Sequence, residues 1–173
     1  MGILTIIGIV LGAIVVFFGI FAFTGAPYVP SHKREIELLF KNLYPLSKKE
    51  HVVDLGSGDG IVLKIAAENG AKATGVELNP VMATISRLRL RKYKNVKVIN
   101  KSYYNFSFPK DTTIVYLFAL DRDFGHIEAK IQNEANRLHK DLYVVSYGFE
   151  SPTMKPVKTY RAYFLYKVTP KII

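Results

Sequence analysis

A glycine-rich turn that follows an apolar segment constrains the fold of this chain more than any other feature. Residues 52–60 read Val-Val-Asp-Leu-Gly-Ser-Gly-Asp-Gly, and residues 75–80 read Gly-Val-Glu-Leu-Asn-Pro. Each segment is an apolar strand that ends on polar residues, with the acid Glu77 at the tip of the second. This spacing predicts a ligand with a nucleoside group at the carboxyl ends of two adjacent parallel strands.

The details of the turn favour a nucleoside that carries no phosphates. The turn lacks the Gly-x-Gly-x-x-Gly pattern of dinucleotide-binding proteins and the Lys-Ser/Thr pair with which a P-loop holds phosphates. Its glycines let the backbone approach a ligand closely, and Glu77 is placed to accept hydrogen bonds from both ribose hydroxyls. The expected cofactor is therefore S-adenosylmethionine.

Several polar residues around the turn have both a functional and a structural interpretation. Asp54 is expected to order the turn by accepting from backbone N–H groups and to face an ammonium group, or else to cap a loop. Asp59 can complement the dipole of a following helix, and Asn79 can cap one. The predicted cofactor-binding residues are Asp54, Gly56, Ser57, Gly58, Asp59, Gly60, Glu77, Leu78, Asn79, Ser102, Tyr103 and Phe118.

The order of the elements predicts the α/β class, with a Rossmann-like, doubly wound and mostly parallel sheet. The tail at residues 157–168 alternates in apolar character and predicts one strand or a tight hairpin. Ser31 and Asn79 are expected to be helix N-caps, and Gly70 is expected to end a helix. Strands are predicted at 51–55, 72–78, 96–99, 113–119 and 142–147, and helices at 31–44, 60–69, 79–93 and from 121 or 123 to 139.

The beginning of the chain has the composition of a membrane anchor. No aspartate, glutamate, lysine, arginine or histidine occurs from Met1 to Val29, and residues 3–23 are almost wholly apolar. About 20 such residues suffice to span a bilayer. A cleaved signal peptide would need a charged start and a shorter apolar core. The sequence therefore predicts a transmembrane anchor over residues 1–26 and one domain over residues 27–173.

Charge around the predicted anchor indicates its orientation. His32, Lys33 and Arg34 follow the apolar segment and no cation precedes it, which places the domain on the cytoplasmic or an equivalent inner side. Gly8 and Gly12 form a Gly-x-x-x-Gly pair, which predicts a weak dimer contact between two such helices.

The net charge of +10 predicts an anionic partner, either nucleic acid or a lipid surface. The chain has no cysteine and no histidine pair at ligand spacing, so no disulfide and no metal site is expected.

In the helix predicted at 79–93, an apolar face of Val81, Ile85 and Leu88 opposes a basic face. The basic face has three interpretations: it contacts solvent, it is attracted to a membrane surface, or it binds RNA. RNA binding is the least favoured, because the chain has no recognisable RNA-binding module. Its cations are Arg87, Arg89, Arg91, Lys92 and Lys94.

The Asp-Leu-Gly-Ser-Gly-Asp-Gly turn and the Glu-Leu-Asn-Pro strand end resemble the motifs of class I, seven-β-strand methyltransferases. The chain is similar more narrowly to the membrane-anchored protein-lysine methyltransferases that modify subunit c of ATP synthase and the adenine nucleotide carrier. The residues that carry this closer resemblance are the apolar start, the elbow Pro27-Tyr28-Val29-Pro30, and residues 117–119 and 149–152. The resemblance implies a lysine-bearing membrane or membrane-associated substrate. It also implies that Tyr28 covers the methyl donor and lines the substrate channel with Phe118, the two residues predicted to be catalytic.

Two features depart from that family's pattern. The family usually has an acidic residue after the third strand to bind the adenine amine, whereas residues 101–104 here read Lys-Ser-Tyr-Tyr. Ser102 or a backbone group must then take that place. The region after the fifth strand is also short, so a sheet reduced to six strands is expected instead of seven.

These expectations describe a membrane-anchored, S-adenosylmethionine-dependent methyltransferase that acts on lysine. A methyltransferase for RNA or a small molecule would use the same cofactor site, although Leu117-Phe118-Ala119-Leu120 stands where the Asn/Asp-Pro-Pro-Tyr motif for base amino groups would be. A non-catalytic, cofactor-binding membrane scaffold is the other alternative, because the chain is short.

Overall fold

The structure, a computed structural model, describes residues 2–23, 31–118 and 124–171. Tyr28 lies outside the described residues, so the role expected for it stays a prediction. Helix α1 spans Ile3–Phe23. Within the described residues, no helix combines the length and the hydropathy that indicate a membrane crossing.

After α1 the chain alternates between helices and strands, as the sequence predicts. The strands predicted at 51–55 and 142–147 have those bounds in the structure, and the helix N-cap predicted at Ser31 is instead His32. The elements are α2 Lys33–Asn42, β1 His51–Leu55, α3 Ile61–Glu68, β2 Lys72–Glu77, α4 Pro80–Leu90, β3 Val96–Asn100, a 3-10 turn Tyr103–Asn105, β4 Ile114–Phe118, α5 Phe124–Leu138, β5 Leu142–Tyr147, β6 Lys158–Tyr160 and β7 Tyr163–Val168.

The described strands form one seven-stranded sheet in the order β3-β2-β1-β4-β5-β7-β6. All run parallel except β7, which pairs antiparallel with both β5 and β6. The prediction of a six-stranded sheet is therefore wrong. The chain reverses at Arg161, whose φ of 54° closes a tight hairpin in which Tyr160 pairs with Tyr163. The short tail is thus the tight hairpin that was one of its two predicted forms, and it supplies two strands.

Two apolar clusters cover the two faces of the sheet. Successive residues of β1 point to opposite faces, so Val52 packs against α2 and α3 while Val53 packs against α5. All five residues of β1 are buried because the strand is central and covered on both sides. The carboxyl ends of β1, β2, β4 and β5 consequently meet at one edge of the sheet.

Helix α4 does not pack on the sheet with the apolar face of Val81, Ile85 and Leu88. Its buried residues are Met82, Ala83, Ser86 and Leu90. The apolar face predicted from periodicity points to solvent instead, with exposed fractions of 37% for Val81, 45% for Ile85 and 63% for Leu88. Ser86 and Leu90 of the buried face lie so close to Gly60 that a Cβ at that position would clash with both, so α4 packs on the glycine turn as well as on the sheet.

A buried carboxylate joins α5 to the loop that leads into β4. Glu134 is 4% exposed and accepts hydrogen bonds from Lys130 at 2.7 Å, from Arg137, and from the Phe108 N–H at 3.1 Å. Burial alone would raise the pKa of Glu134, but Lys130 and Arg137 outweigh it and hold this pKa below its usual value. The ionised carboxylate therefore stabilises the fold.

Replacing Glu134 by glutamine should lower the free energy of unfolding by about 1.5–3 kcal/mol at neutral pH, because bonds to a charged, buried acceptor are lost. A carboxyl whose pKa is lowered by folding stabilises the fold above its unfolded pKa and ceases to do so as the pH falls through the folded value. Urea titrations from neutral to acidic pH should show the two proteins converging. Glu37→Gln, at an exposed pair with Lys33, is the control and should change the stability by less than about 0.5 kcal/mol.

Candidate functional site

The glycine turn after β1 is held by backbone bonds to β2. The N–H groups of Gly56 and Ser57 both donate to the carbonyl oxygen of Val76, at 2.8 and 3.2 Å, and the Gly60 N–H donates to the carbonyl of Ser57 at 2.9 Å. Gly56, Gly58 and Gly60 have φ values of 86°, 51° and 81°, which residues with a side chain rarely adopt. The turn therefore requires its glycines.

The carboxylate of Glu77 connects the turn to the segment that follows β2. One oxygen accepts from the Gly58 N–H at 2.8 Å, and the other accepts from the Asn79 N–H at 2.8 Å. Each carboxylate oxygen has capacity for a further hydrogen bond. Glu77 is thus fixed at the tip of β2 with acceptor capacity left for two ligand hydroxyls.

Asp54 is the most buried acid of this edge, with 3% of its surface exposed. Burial raises the pKa of Asp54 well above its usual range, and the carboxylates of Glu77 and Asp59 raise it further. The amide groups of the turn donate to Val76, Ser57 and Glu77. The turn is accordingly ordered by these acceptors, contrary to the role expected for Asp54, and the position of Asp54 suits a cationic ligand group.

The structure gives Asp59 and Asn79 local roles at helix starts. Asp59 accepts from the Ile61 N–H at 3.2 Å and forms an ion pair with Arg89. Asn79 accepts from the N–H groups of Val81 and Met82, at 2.9 and 3.3 Å, and so caps α4. Both residues therefore have the structural function that was one of their two interpretations, and both lie beside the turn.

The edge next to β3 offers an apolar and aromatic surface. Leu78 is 51% exposed, and Ser102 and Tyr103 are half-buried at the start of the 3-10 turn. Asn100, which the sequence interpretation missed, donates to the carbonyls of Glu77 and Leu78 at 2.8 and 2.9 Å. It ties the ends of β2 and β3 together, and its position as the last, polar residue of an apolar strand could have indicated this.

Four aromatic rings lie at the ends of β4, β5 and β7. Phe118 is half-buried, and its ring centroid lies 5.9 Å from that of Tyr147 and 6.4 Å from that of Phe149. Tyr147 in turn lies 4.8 Å from Tyr163. We call Phe118, Tyr147, Phe149 and Tyr163 the aromatic cluster; of these, the sequence interpretation assigned only Phe118 to the site.

The aromatic cluster adjoins the glycine turn. Leu117 pairs with Leu55, the residue before the turn, and Phe118 continues β4 beyond that pair. Tyr116 pairs with Asp54, and its hydroxyl is buried. Burial raises the pKa of the Tyr116 hydroxyl well above its usual value, as do Tyr163 and Asp54. A group of acidic side chains and the aromatic cluster therefore share one edge of the sheet.

Comparisons with known proteins agree with this geometry. A family model, the ANTKMT methyltransferase domain, matches residues 54–158. The lysine N-methyltransferase of the ATP synthase C-subunit from Xenopus laevis is 30% identical over 75% of this chain and 56% of its own length. The rRNA adenine N-6-methyltransferase of Limosilactobacillus reuteri is 24% identical over 82% of this chain and 57% of its own length. This chain thus spans somewhat more than half the length of these relatives.

A solved structure supports the fold in particular. An RNA methyltransferase of Salinibacter ruber, in complex with S-adenosyl-L-homocysteine, superposes with a TM-score of 0.72. The two chains are 24% identical, and the match covers 84% of this chain and 96% of the other. At this identity the likeness shows a shared fold.

Glu77→Ala should weaken binding of S-adenosylmethionine by about 1.5–3 kcal/mol, because hydrogen bonds to a charged acceptor are lost. Glu77→Gln, which keeps one oxygen acceptor, should lose less. Calorimetric titration of the full chain measures both variants. An unchanged affinity of the alanine variant would remove Glu77 from the binding site.

Ligand binding should release a proton from Asp54 near its raised pKa, because the sulfonium and ammonium of S-adenosylmethionine favour the ionised carboxylate. The affinity should therefore fall as the pH drops through that raised pKa, and Asp54→Asn should abolish this dependence. Calorimetry in buffers of different ionisation enthalpy measures the release. S-adenosylhomocysteine, which lacks the sulfonium charge, should release less; equal release by Asp54→Asn would assign the proton to another group.

Proposed function

Because this chain belongs to the family of the ANTKMT methyltransferase domain, we propose that it transfers the methyl group of S-adenosylmethionine to a lysine side chain of a membrane or membrane-associated protein. The observation that carries this proposal is the pairing, at one edge of the sheet, of an anionic turn with the aromatic cluster. The first suits a cationic methyl donor, and the second suits an uncharged amine.

The residues of the turn fit S-adenosylmethionine by their charge. Asp54, Asp59 and Glu77 are close enough for the latter two to raise the pKa of Asp54. A group of acids this close together repels phosphates and attracts a ligand with two cationic groups. Asp54 would hold the ammonium, Glu77 the ribose hydroxyls, and Leu78 with Ser102 and Tyr103 the adenine side. When bound, the cofactor supplies a methyl group on a sulfonium that is a good leaving group.

The aromatic cluster favours the reactive form of the substrate. A lysine amine has a pKa of about 10.4 in water and must lose its proton before it can attack. An apolar, aromatic recess penalises the charged form and so lowers the substrate's pKa. The residues then need only orient the amine and exclude water, without a strong base. Phe118 serves this function in the proposal, and Tyr28 would cover it from the preceding segment.

The choice of lysine and of a membrane substrate is supported by the relatives. Those named as lysine N-methyltransferases of the ATP synthase C-subunit include the proteins of Xenopus laevis and Homo sapiens. The apolar residues 3–23 would anchor the domain on the cytoplasmic or an equivalent inner side of the bilayer, with a dimer contact at Gly8 and Gly12 as part of the same proposal. The anchor raises the effective concentration of the site toward substrates in that surface.

RNA is the second candidate substrate, since one relative and one solved structure are named as RNA methyltransferases. An enzyme that modifies a base reads its polar edge through hydrogen bonds. The described end of β4 presents Leu117, which is buried, and Phe118. Neither side chain offers a hydrogen-bonding group, so this end of β4 favours an amine on an aliphatic chain; the hydroxyls of the cluster belong to Tyr147 and Tyr163, on β5 and β7.

The test is methyl transfer from labelled S-adenosylmethionine by the full chain to total membranes, followed by acid hydrolysis and chromatography. Methyl-lysine in a membrane protein is the expected product, and the Glu77→Ala variant should form much less of it. Label in adenine of extracted RNA or in a small molecule would replace lysine as the target. Cofactor binding without any label would instead favour the scaffold.

A further inference from the structure

The outward face of α4 carries an apolar stripe of Val81, Ile85 and Leu88. These residues are 37%, 45% and 63% exposed, and they lie on one side of the helix by their spacing. The sheet packs against the opposite side, through Met82 and its neighbours. The stripe therefore contributes nothing to the core among the described residues, although it consists of three branched aliphatic side chains.

Cations surround the apolar stripe, and acids are absent from its neighbourhood in the sequence. Residues 78–110 contain eight lysines and arginines and no aspartate or glutamate, against a net charge of +10 for the whole chain. By helical spacing, Arg87 and Arg91 flank one side of the stripe and Arg89 flanks the other. The remaining cations continue through β3, the edge strand, where Lys97 is exposed.

We propose that the apolar stripe of α4 docks on an anionic lipid surface. Aliphatic side chains bordered by arginines are the pattern of a helix that lies in the membrane interface, where the apolar face enters the acyl boundary and the cations contact the headgroups. The cations of residues 78–110 complement anionic lipid, although Arg89 among them already forms an ion pair with Asp59. An RNA partner would use the cations but would leave Val81, Ile85 and Leu88 against phosphates and sugars.

Docking through α4 would orient the candidate site. Since α4 connects the parallel strands β2 and β3, it runs antiparallel to them. A bilayer in contact with the outward face of α4 would therefore lie parallel to the strands, near the end of the sheet formed by β3. The carboxyl edge, with Glu77 and the aromatic cluster, would open along the lipid surface. The proposed contact can be tested separately from methyl transfer and from the anchor, because the experiment measures lipid contact of α4 directly.

The absence of cysteine from the chain permits a clean test by spin labelling. Leu88→Cys of the full chain is labelled and reconstituted into phosphatidylcholine vesicles with or without phosphatidylserine. The matched control is Val157→Cys, an exposed apolar position at 58% beside β6, at the opposite edge of the sheet from β3. Collision with oxygen and with a water-soluble nickel complex reports the surroundings of each label.

In vesicles with phosphatidylserine, the label at position 88 should lose accessibility to the nickel complex several-fold and gain accessibility to oxygen, while the label at 157 stays in water. Arg91→Glu with Lys92→Glu should reverse the effect without changing cofactor affinity. Equal accessibility at both positions would overturn the proposal. Protection at position 88 in detergent alone would indicate a second copy, and protection by added RNA a nucleic-acid surface; either result would also overturn it.

Discussion

The two hydrogen bonds of Glu77 are the constraint on which the candidate site depends. One carboxylate binds the amide of Gly58 in the turn after β1 and the amide of Asn79 before α4, both at 2.8 Å. Two neighbouring strand ends and the start of a helix are thereby held together by a single side chain. The same carboxylate retains acceptor capacity for ligand, so the group that builds the site is also the one best placed to bind in it.

The electrostatics of the site oppose those of the protein around it. The chain carries a net charge of +10, yet the turn gathers Asp54, Asp59 and Glu77 closely enough to raise the pKa of Asp54. A cationic cofactor relieves this repulsion, whereas a phosphate-bearing one would not. Six of the chain's 24 lysines and arginines lie within residues 87–97, from α4 into β3, and one of them, Arg89, forms an ion pair with Asp59. One small domain thus contains both an acidic group at the glycine turn and a dense group of cations on and after α4.

Local patterns predicted much of the fold correctly. The bounds of β1 and β5, the cap at Asn79 and the left-handed Gly70 at the end of α3 all agree with the structure, because each depends on neighbouring residues. The features that the sequence analysis misjudged depend on residues that are distant along the chain. The six-strand expectation failed because the pairing of β6 with β7 decides whether the tail is one strand or two, and the role of Asp54 was misjudged because Val76, on another strand, binds the turn amides.

The sequence by itself determined the glycine turn, the acid at the end of β2 and the α/β order, since each is a spacing of residue types along the chain. Only the tertiary structure decided which face of α4 is buried. The exposed face with Ile85 and the buried face with Leu90 both carry apolar residues, and only packing against the sheet and the glycine turn distinguishes them. It likewise brought Tyr147 beside Phe118, and Tyr163 beside Tyr147. Their rings meet because β5 lies between β4 and β7 in the sheet, and no local pattern along the chain records that order.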